Sequence, residues 1–266
     1  MRIRTDASWL RTEPYVRAWS RAYRDDGLIV VGVHTPEFSF EHDLARVRKA
    51  TEERDIDYPV AVDNDYAVWR AFDNYYWPAL YLADRDGVIR FHQFGEGRYE
   101  ETERAIQRLL GVERDLIPIE GDGVEAAADW TNLKTPETYL GRLRGERKES
   151  PGRLQLNEWC LVGEWTTTGE NVVLDRAGGS IAFRFHARDV HLVLSHSGGD
   201  QIPFHVLLDG QAPGRARGED VDDGGEGILD DGRLYQLLRQ HGEIRERTVE
   251  IVFGARGAEA CVFTFG

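Results

Sequence analysis

Leu28-Ile29-Val30-Val31-Gly32-Val33, followed at once by His34-Thr35-Pro36-Glu37-Phe38, decides how the first half of the chain reads. An apolar run without alternation describes a strand buried on both faces, which needs helices on either side of it. Upstream, Leu10, Tyr15, Val16, Trp19 and Tyr23 recur at helical spacing over residues 8–24, and Gly27 follows where a helix commonly stops. Downstream the two periods alternate. A helix is predicted over Phe40–Arg54, a strand at Tyr58–Val62 and a short helix over Asp63–Phe72. Strands Ala79–Ala83 and Val88–His92 flank the turn Asp84-Arg85-Asp86-Gly87, a strong hairpin signal. A last helix runs from Tyr99 to Leu110 and ends at Gly111. The early elements require crossover connections, so the order predicts an α/β arrangement of right-handed crossovers.

Residues 112–150 read differently. Leu116-Ile117-Pro118-Ile119 is extended, Thr135-Pro136-Glu137-Thr138 carries a helix-start signal, and Gly141 to Pro151 is charged and loop-like. This is read as a linker with a small ordered element docked through Trp130, Tyr139 and Leu140. From Leu154 onward helical periodicity almost vanishes. Seven strand-like runs begin at Trp159, Asn171, Ser180, Val190, Phe204, Thr248 and Cys261, with turns such as Ala177-Gly178-Gly179, Ser197-Gly198-Gly199 and Asp209-Gly210 among them. That punctuation predicts an all-β sandwich of jelly-roll type. The expected organisation is an α/β domain over 1–112, a linker over 113–150 and the sandwich over 151–266.

The chain of 266 residues has a net charge of −14, which argues against nucleic acid as a partner. Arg11, Arg17, Arg21 and Arg24 lie along one predicted helix and read as its solvated face. No apolar run reaches the roughly 18–20 residues that span a bilayer. The N-terminus carries no apolar signal-peptide segment. Cys160 and Cys261 are the two cysteines, and both sit in apolar strand-like runs. They read either as buried small hydrophobes or as a disulfide between the first and last strands of one domain.

Motifs spread along the whole chain carry a resemblance. They include Leu10-Arg11-Thr12, Pro14-Tyr15-Val16-Arg17-Ala18-Trp19, Gly32 to Phe38, Tyr66-Ala67-Val68-Trp69, Tyr76-Trp77-Pro78-Ala79, Phe94-Gly95-Glu96-Gly97, Asp129-Trp130, Pro136-Glu137, Phe185-His186-Ala187-Arg188-Asp189 and Phe263-Thr264-Phe265-Gly266. Together they make the chain similar to the C-terminal extracytoplasmic region of DipZ-type proteins, within the thioredoxin-like (redoxin) superfamily. The resemblance implies a thioredoxin-like domain, N-terminally shortened here, followed by a sandwich like those of carbohydrate-binding modules. It also implies thiol–disulfide exchange with a protein partner outside the cytoplasm. Relatives carry cysteine in the turn before the first helix. Here that turn reads Thr5-Asp6-Ala7-Ser8-Trp9, so the two cysteine positions fall on Asp6 and Trp9. Either the natural start differs from Met1–Ser8, or the site has lost its nucleophile.

Exchange requires a thiolate, which Asp6 cannot supply; its carboxylate is suited to capping helix amides. Trp77-Pro78 resembles the cis-proline loop of thioredoxins, which in relatives faces the cysteine and pairs with substrate backbone. It is therefore a candidate peptide-binding element. His34 and Glu37 stand at the C-terminal end of a central strand, where open α/β sheets often place ligands, and are candidate substrate-binding residues; they read as a hydrogen-bonded pair ordering the loop, with a general acid/base pair as the alternative. In the second half, Trp165 is the glycan candidate, while Trp159, Phe183, Phe185 and Phe204 read as core. His186, His191, His196 and His205 lack the convergent spacing of a metal site. Glu219 to Gly227 concentrates carboxylates and reads as a solvated loop, with calcium the cofactor it could take. No other cofactor is expected.

Overall fold

A computed structural model describes residues 1, 4–145, 154–198 and 200–266. The predicted turn at 197–199 and the charged loop at 141–151 thus lie partly outside the described residues. The chain divides into two compact units, Met1–Ala126 and Ala127–Gly266.

The first unit contains α1 (Ala7–Ala22), β1 (Gly32–His34), α2 (Leu44–Glu53), β2 (Val60–Val62), α3 (Ala67–Ala71), β3 (Ala79–Ala83), β4 (Ile89–Phe94) and α4 (Tyr99–Leu110). Each predicted element is present, although several are shorter. α4 ends where Gly111, at φ +70°, turns the chain back and Val112 N donates to Gln107 O at 3.0 Å. Asp84 closes the β3–β4 turn by accepting from the amides of Asp86 and Val88, both at 3.0 Å. Trp9, Val16, Trp19, Tyr23, Tyr58 and Ile106 form the core. Within it Glu103 is buried but satisfied: it accepts from Trp19 Nε1 at 3.1 Å and from the Tyr23 hydroxyl at 2.6 Å.

The predicted strand Leu28–Val33 is the main departure in this unit. Only Gly32–His34 pairs, in parallel with Val60–Val62. Ile29 is 82% exposed and Val31 57% exposed. β3 and β4 form a separate antiparallel pair. An apolar run becomes a buried strand only when neighbours cover it. Among the described residues no strand pairs with Ile29 or Val31. Arg11 is a second correction. It is no part of a solvated face: its guanidinium donates to Glu96 Oε1 at 2.7 Å, with the two side chains 4% and 8% exposed.

The second unit contains β5 (Thr138–Tyr139), β6 (Trp159–Val162), β7 (Trp165–Thr167), β8 (Val172–Leu174), β9 (Ser180–Phe185), β10 (Asp189–His196), β11 (Ile202–Leu208), β12 (Glu226–Leu229), β13 (Arg233–Arg239), β14 (Arg247–Phe253) and β15 (Ala258–Phe265). They form two antiparallel sheets. One has the order β13-β10-β15-β8-β7, with β5 also on β15, and the other the order β12-β11-β14-β9-β6. All seven predicted strands are present. The sheets pack face to face: Phe183 of β9 meets Phe263 and Phe265 of β15 at ring separations of 5.0 and 5.3 Å. Thr138–Tyr139 is a strand on Val262–Phe263 rather than the helix that Thr135-Pro136 suggested. Trp130 docks poorly, at 64% exposed, whereas Leu140 joins the sandwich core. No disulfide joins Cys160 to Cys261: each carries a thiol, one on β6 of the second sheet and the other on β15 of the first.

Candidate thiol-exchange site

The start of α1, the loop after β1 and the entry to β3 are tied together by hydrogen bonds. Asp6 is the N-cap of α1: the amides of Ser8 and Trp9 donate to its Oδ1 at 3.0 and 3.2 Å. A carboxylate here also interacts favourably with the positive end of the helix dipole. Trp9 is buried in the core. Ser8 Oγ donates to Glu96 at 3.0 Å, so the carboxylate that holds Arg11 also holds the first turn of α1.

The Trp77–Pro78 peptide bond is cis. Trp77 Nε1 donates to Thr35 O at 3.2 Å, and its ring lies 4.1 Å from that of Trp69. Tyr66 donates its hydroxyl proton to Pro36 O. Asp63 is buried and accepts from the amides of Val68 and Trp69 at 2.9 Å each, fixing the start of α3 beneath this loop.

His34 does not bond to Glu37. Its Nε2–H donates to the main-chain oxygen of Glu41 at 3.0 Å. Burial holds the imidazole below its ordinary range, with the Glu41 carboxylate opposing that effect. Glu41 is the organising residue that sequence reasoning missed. Its carboxylate accepts from the amides of Glu37 and Phe38 at 2.7 and 2.9 Å and from the Thr5 hydroxyl. The loop after β1 is thereby joined to the segment just before α1. A Glu three residues after the entry to a helical turn is the legible signal for this half of a capping box, in which the carboxylate reaches back to the Phe38 amide. Its bond to Thr5 has no local signal.

In the second unit Trp165 is half-buried. Its Nε1 donates to Val162 O at 2.9 Å and its ring meets Phe253 edge-on at 5.9 Å. The 219–227 loop distributes its carboxylates among local partners. Asp220 pairs with Arg233 at 2.7 Å, Asp223 with Arg217 at 2.8 Å and Glu226 with His205 at 2.6 Å. Among the described residues no three His, Cys, Asp or Glu side chains converge to hold a metal ion. Burial and the nearby Glu250 push the Cys160 thiol up, away from the thiolate form.

Residues 135–266 match a family model described as "Thioredoxin like C-terminal domain". Protein DipZ of Mycobacterium tuberculosis (strain CDC 1551 / Oshkosh) is 36% identical over 203 residues, covering 71% of this chain and 29% of DipZ. The chain carries a DipZ-type thioredoxin-like region. It spans under a third of the length of the DipZ proteins it matches. The thiol-disulfide oxidoreductase YkuV of Bacillus subtilis (strain 168) is 35% identical over 97 residues, or 36% of this chain and 65% of YkuV. A solution structure of a thioredoxin-like protein in the oxidized form shares 34% identity over 39% of this chain and 70% of that one, at a TM-score of 0.36. Thioredoxin-like α/β character in the first unit and an open antiparallel sandwich in the second are thus the architecture of this DipZ-type region. Among the described residues no helix is long and apolar enough to cross a membrane.

Proposed function

We propose that this chain is a member of the DipZ-type lineage without a cysteine at the start of α1, and that it docks an extended polypeptide at the Trp77–Pro78 loop without exchanging disulfides itself. One observation carries the reading. Asp6 occupies the helix start where relatives place a cysteine, and its carboxylate is committed to capping the amides of Ser8 and Trp9. Disulfide exchange begins with a thiolate attacking sulfur. Both thiols of the chain lie in the second unit, and that of Cys160 is held in its protonated form. The surrounding frame is retained: the cis loop, the Trp69–Trp77 contact and the Glu41 bonds to the loop after β1. That frame supports recognition of a protein partner, and kinship with DipZ supports a location outside the cytoplasm. A glycan role for the sandwich draws no support from Trp165, whose ring is engaged with Phe253.

Insulin reduction by dithiothreitol tests the reading. The chain leaves the uncatalysed rate unchanged, whereas Asp6→Cys gains a thiol that iodoacetamide alkylates well below pH 8.5, because a helix N-terminus stabilises thiolate. Catalysis by the unsubstituted chain overturns the proposal. The docking arm is measured by calorimetry with reduced, carboxymethylated insulin B chain. Trp77→Ala weakens that binding; equal affinity removes the loop from the proposal.

A further inference from the structure

The loop that enters β3 exposes aromatic rings beside a carboxylate. Tyr75 is 71% exposed, Tyr76 53% and Phe94 38%. Single exposed apolar residues are routine on a protein surface, but these rings belong to one ordered group. In the β3–β4 pair Tyr81 stands opposite His92 and Ala79 opposite Phe94, so Tyr81, His92 and Phe94 share a face of the hairpin. The small Ala79 side chain leaves the Phe94 ring room, and Tyr76 stacks on that ring at 5.0 Å. Tyr81 meets Phe94 edge-on at 5.8 Å, and the His92 ring lies 4.8 Å from it.

Asn74 holds the group in place. It is buried; its side-chain amide donates to Tyr76 O at 2.9 Å, and its side-chain oxygen accepts from the Tyr81 hydroxyl at 3.0 Å. Its main-chain amide donates to Trp69 O at 3.0 Å. The rings are therefore ordered before a ligand arrives, which lowers the entropy cost of binding.

Asp73 gives the surface its charge. Its Oδ1 accepts from the Tyr75 hydroxyl at 2.8 Å. Burial and this carboxylate together push the Tyr81 hydroxyl up, which places Asp73 near Tyr81 as well. Among the described residues no cation pairs with Asp73, whereas Asp84, in the turn of the same hairpin, is paired with Arg90 at 2.6 Å. An aromatic face attracts a cation through its quadrupole, and a planar guanidinium both stacks on rings and forks onto a carboxylate.

We propose that Tyr75, Tyr76, Phe94 and Asp73 form a docking surface for an arginine side chain of a partner polypeptide, the guanidinium stacking on the exposed rings and pairing with Asp73. The net charge of −14 favours the approach of a basic segment. The inference does not rest on the function proposed above: Trp77→Ala tests the loop, Tyr76→Ala tests this surface, and either can fail alone.

The probe is the peptide acetyl-Gly-Ser-Arg-Gly-Arg-Ser-Gly-amide, titrated into the isotopically labelled full chain and followed by amide chemical shifts. Saturable shifts centred on Tyr75, Tyr76 and Phe94 are the expected result. Replacing both arginines by citrulline, which keeps the shape and removes the charge, weakens binding about threefold or more, the loss expected for one cation–π contact and one exposed ion pair. Asp73→Asn weakens binding of the arginine peptide about twofold or more. It keeps the fold, because asparagine also tolerates the φ of +52° or less found at such positions, here +49°, and also accepts from Tyr75. Tyr76→Ala weakens binding by a similar factor and leaves the melting temperature unchanged, since Tyr76 is exposed. The proposal is overturned by shifts centred elsewhere, by equal binding of the citrulline peptide, or by undiminished binding to either variant. A counterpart with leucine in place of arginine that binds as tightly also overturns it, since the surface would then take apolar side chains without regard to charge.

Discussion

Asp6 and His34 show how single residues of this site are tuned to structure. Asp6→Ala removes the cap from α1 and lowers stability by about 1 kcal/mol, measured by urea denaturation, while Asp6→Asn keeps most of it because an amide oxygen also caps. His34 is held below its unfolded value of 6.5 by burial, so the unfolded chain takes up its proton first as the solution is acidified. Its contribution is therefore fully present above pH 6.5 and is lost as pH falls from there towards the folded pKa. The groups facing it are the Glu41 carboxylate, the Met1 amine and His42. His34→Gln keeps a donor for Glu41 O and flattens the decline in urea midpoint between pH 7 and 5. An equally steep decline in the variant would assign it to other groups. Motif reading located Trp77-Pro78 because the dipeptide resembles the cis-proline loop of thioredoxins within a set of matching motifs. It paired His34 with Glu37, whereas the ring bonds to the main-chain oxygen of Glu41, and only the turn at Ser39–His42 brings that residue back to it.

At the level of elements, buried charge separates what a helical period can tell from what it cannot. The spacing of Arg11, Arg17, Arg21 and Arg24 placed them along a helix. It did not reveal that Glu96, more than 80 residues on, takes Arg11 out of solvent. Arg11→Ala leaves the Glu96 carboxylate buried without its cation and costs about 3–5 kcal/mol of stability. Adding Glu96→Gln recovers part of that loss, and a double-mutant cycle reads the coupling. β12 and β13 passed unnoticed for a related reason. Leu234-Tyr235-Gln236-Leu237-Leu238 reads equally well as a helix face, and only pairing with β10 fixes it as a strand. Leu28–Val31 shows the reverse failure: composition predicts a strand there, but only Gly32–His34 pairs, because a strand needs neighbours to be one.

For the whole molecule, the two units divide the roles. The first carries the site on short, sparsely paired elements; the second is built on a continuous aromatic and aliphatic core. Phe183→Ala, which removes a ring held between Phe263 and Phe265, costs about 3–5 kcal/mol in the second unit. The seven predicted sandwich strands were legible because alternation and glycine-rich turns are local. The sheet order was not, because it joins strands far apart in sequence. β15 makes this concrete. It lies between β10 and β8 and also carries β5, and the main chains of Asp189 and Gly266 bond to each other. A ribosome delivers residues 258–265 only after every other strand of the sandwich has emerged. Until then the larger sheet has no middle, and the apolar residues of β10 wait exposed for a strand not yet made. The nascent sandwich therefore shows apolar surface of the kind that invites aggregation until β15 is in place.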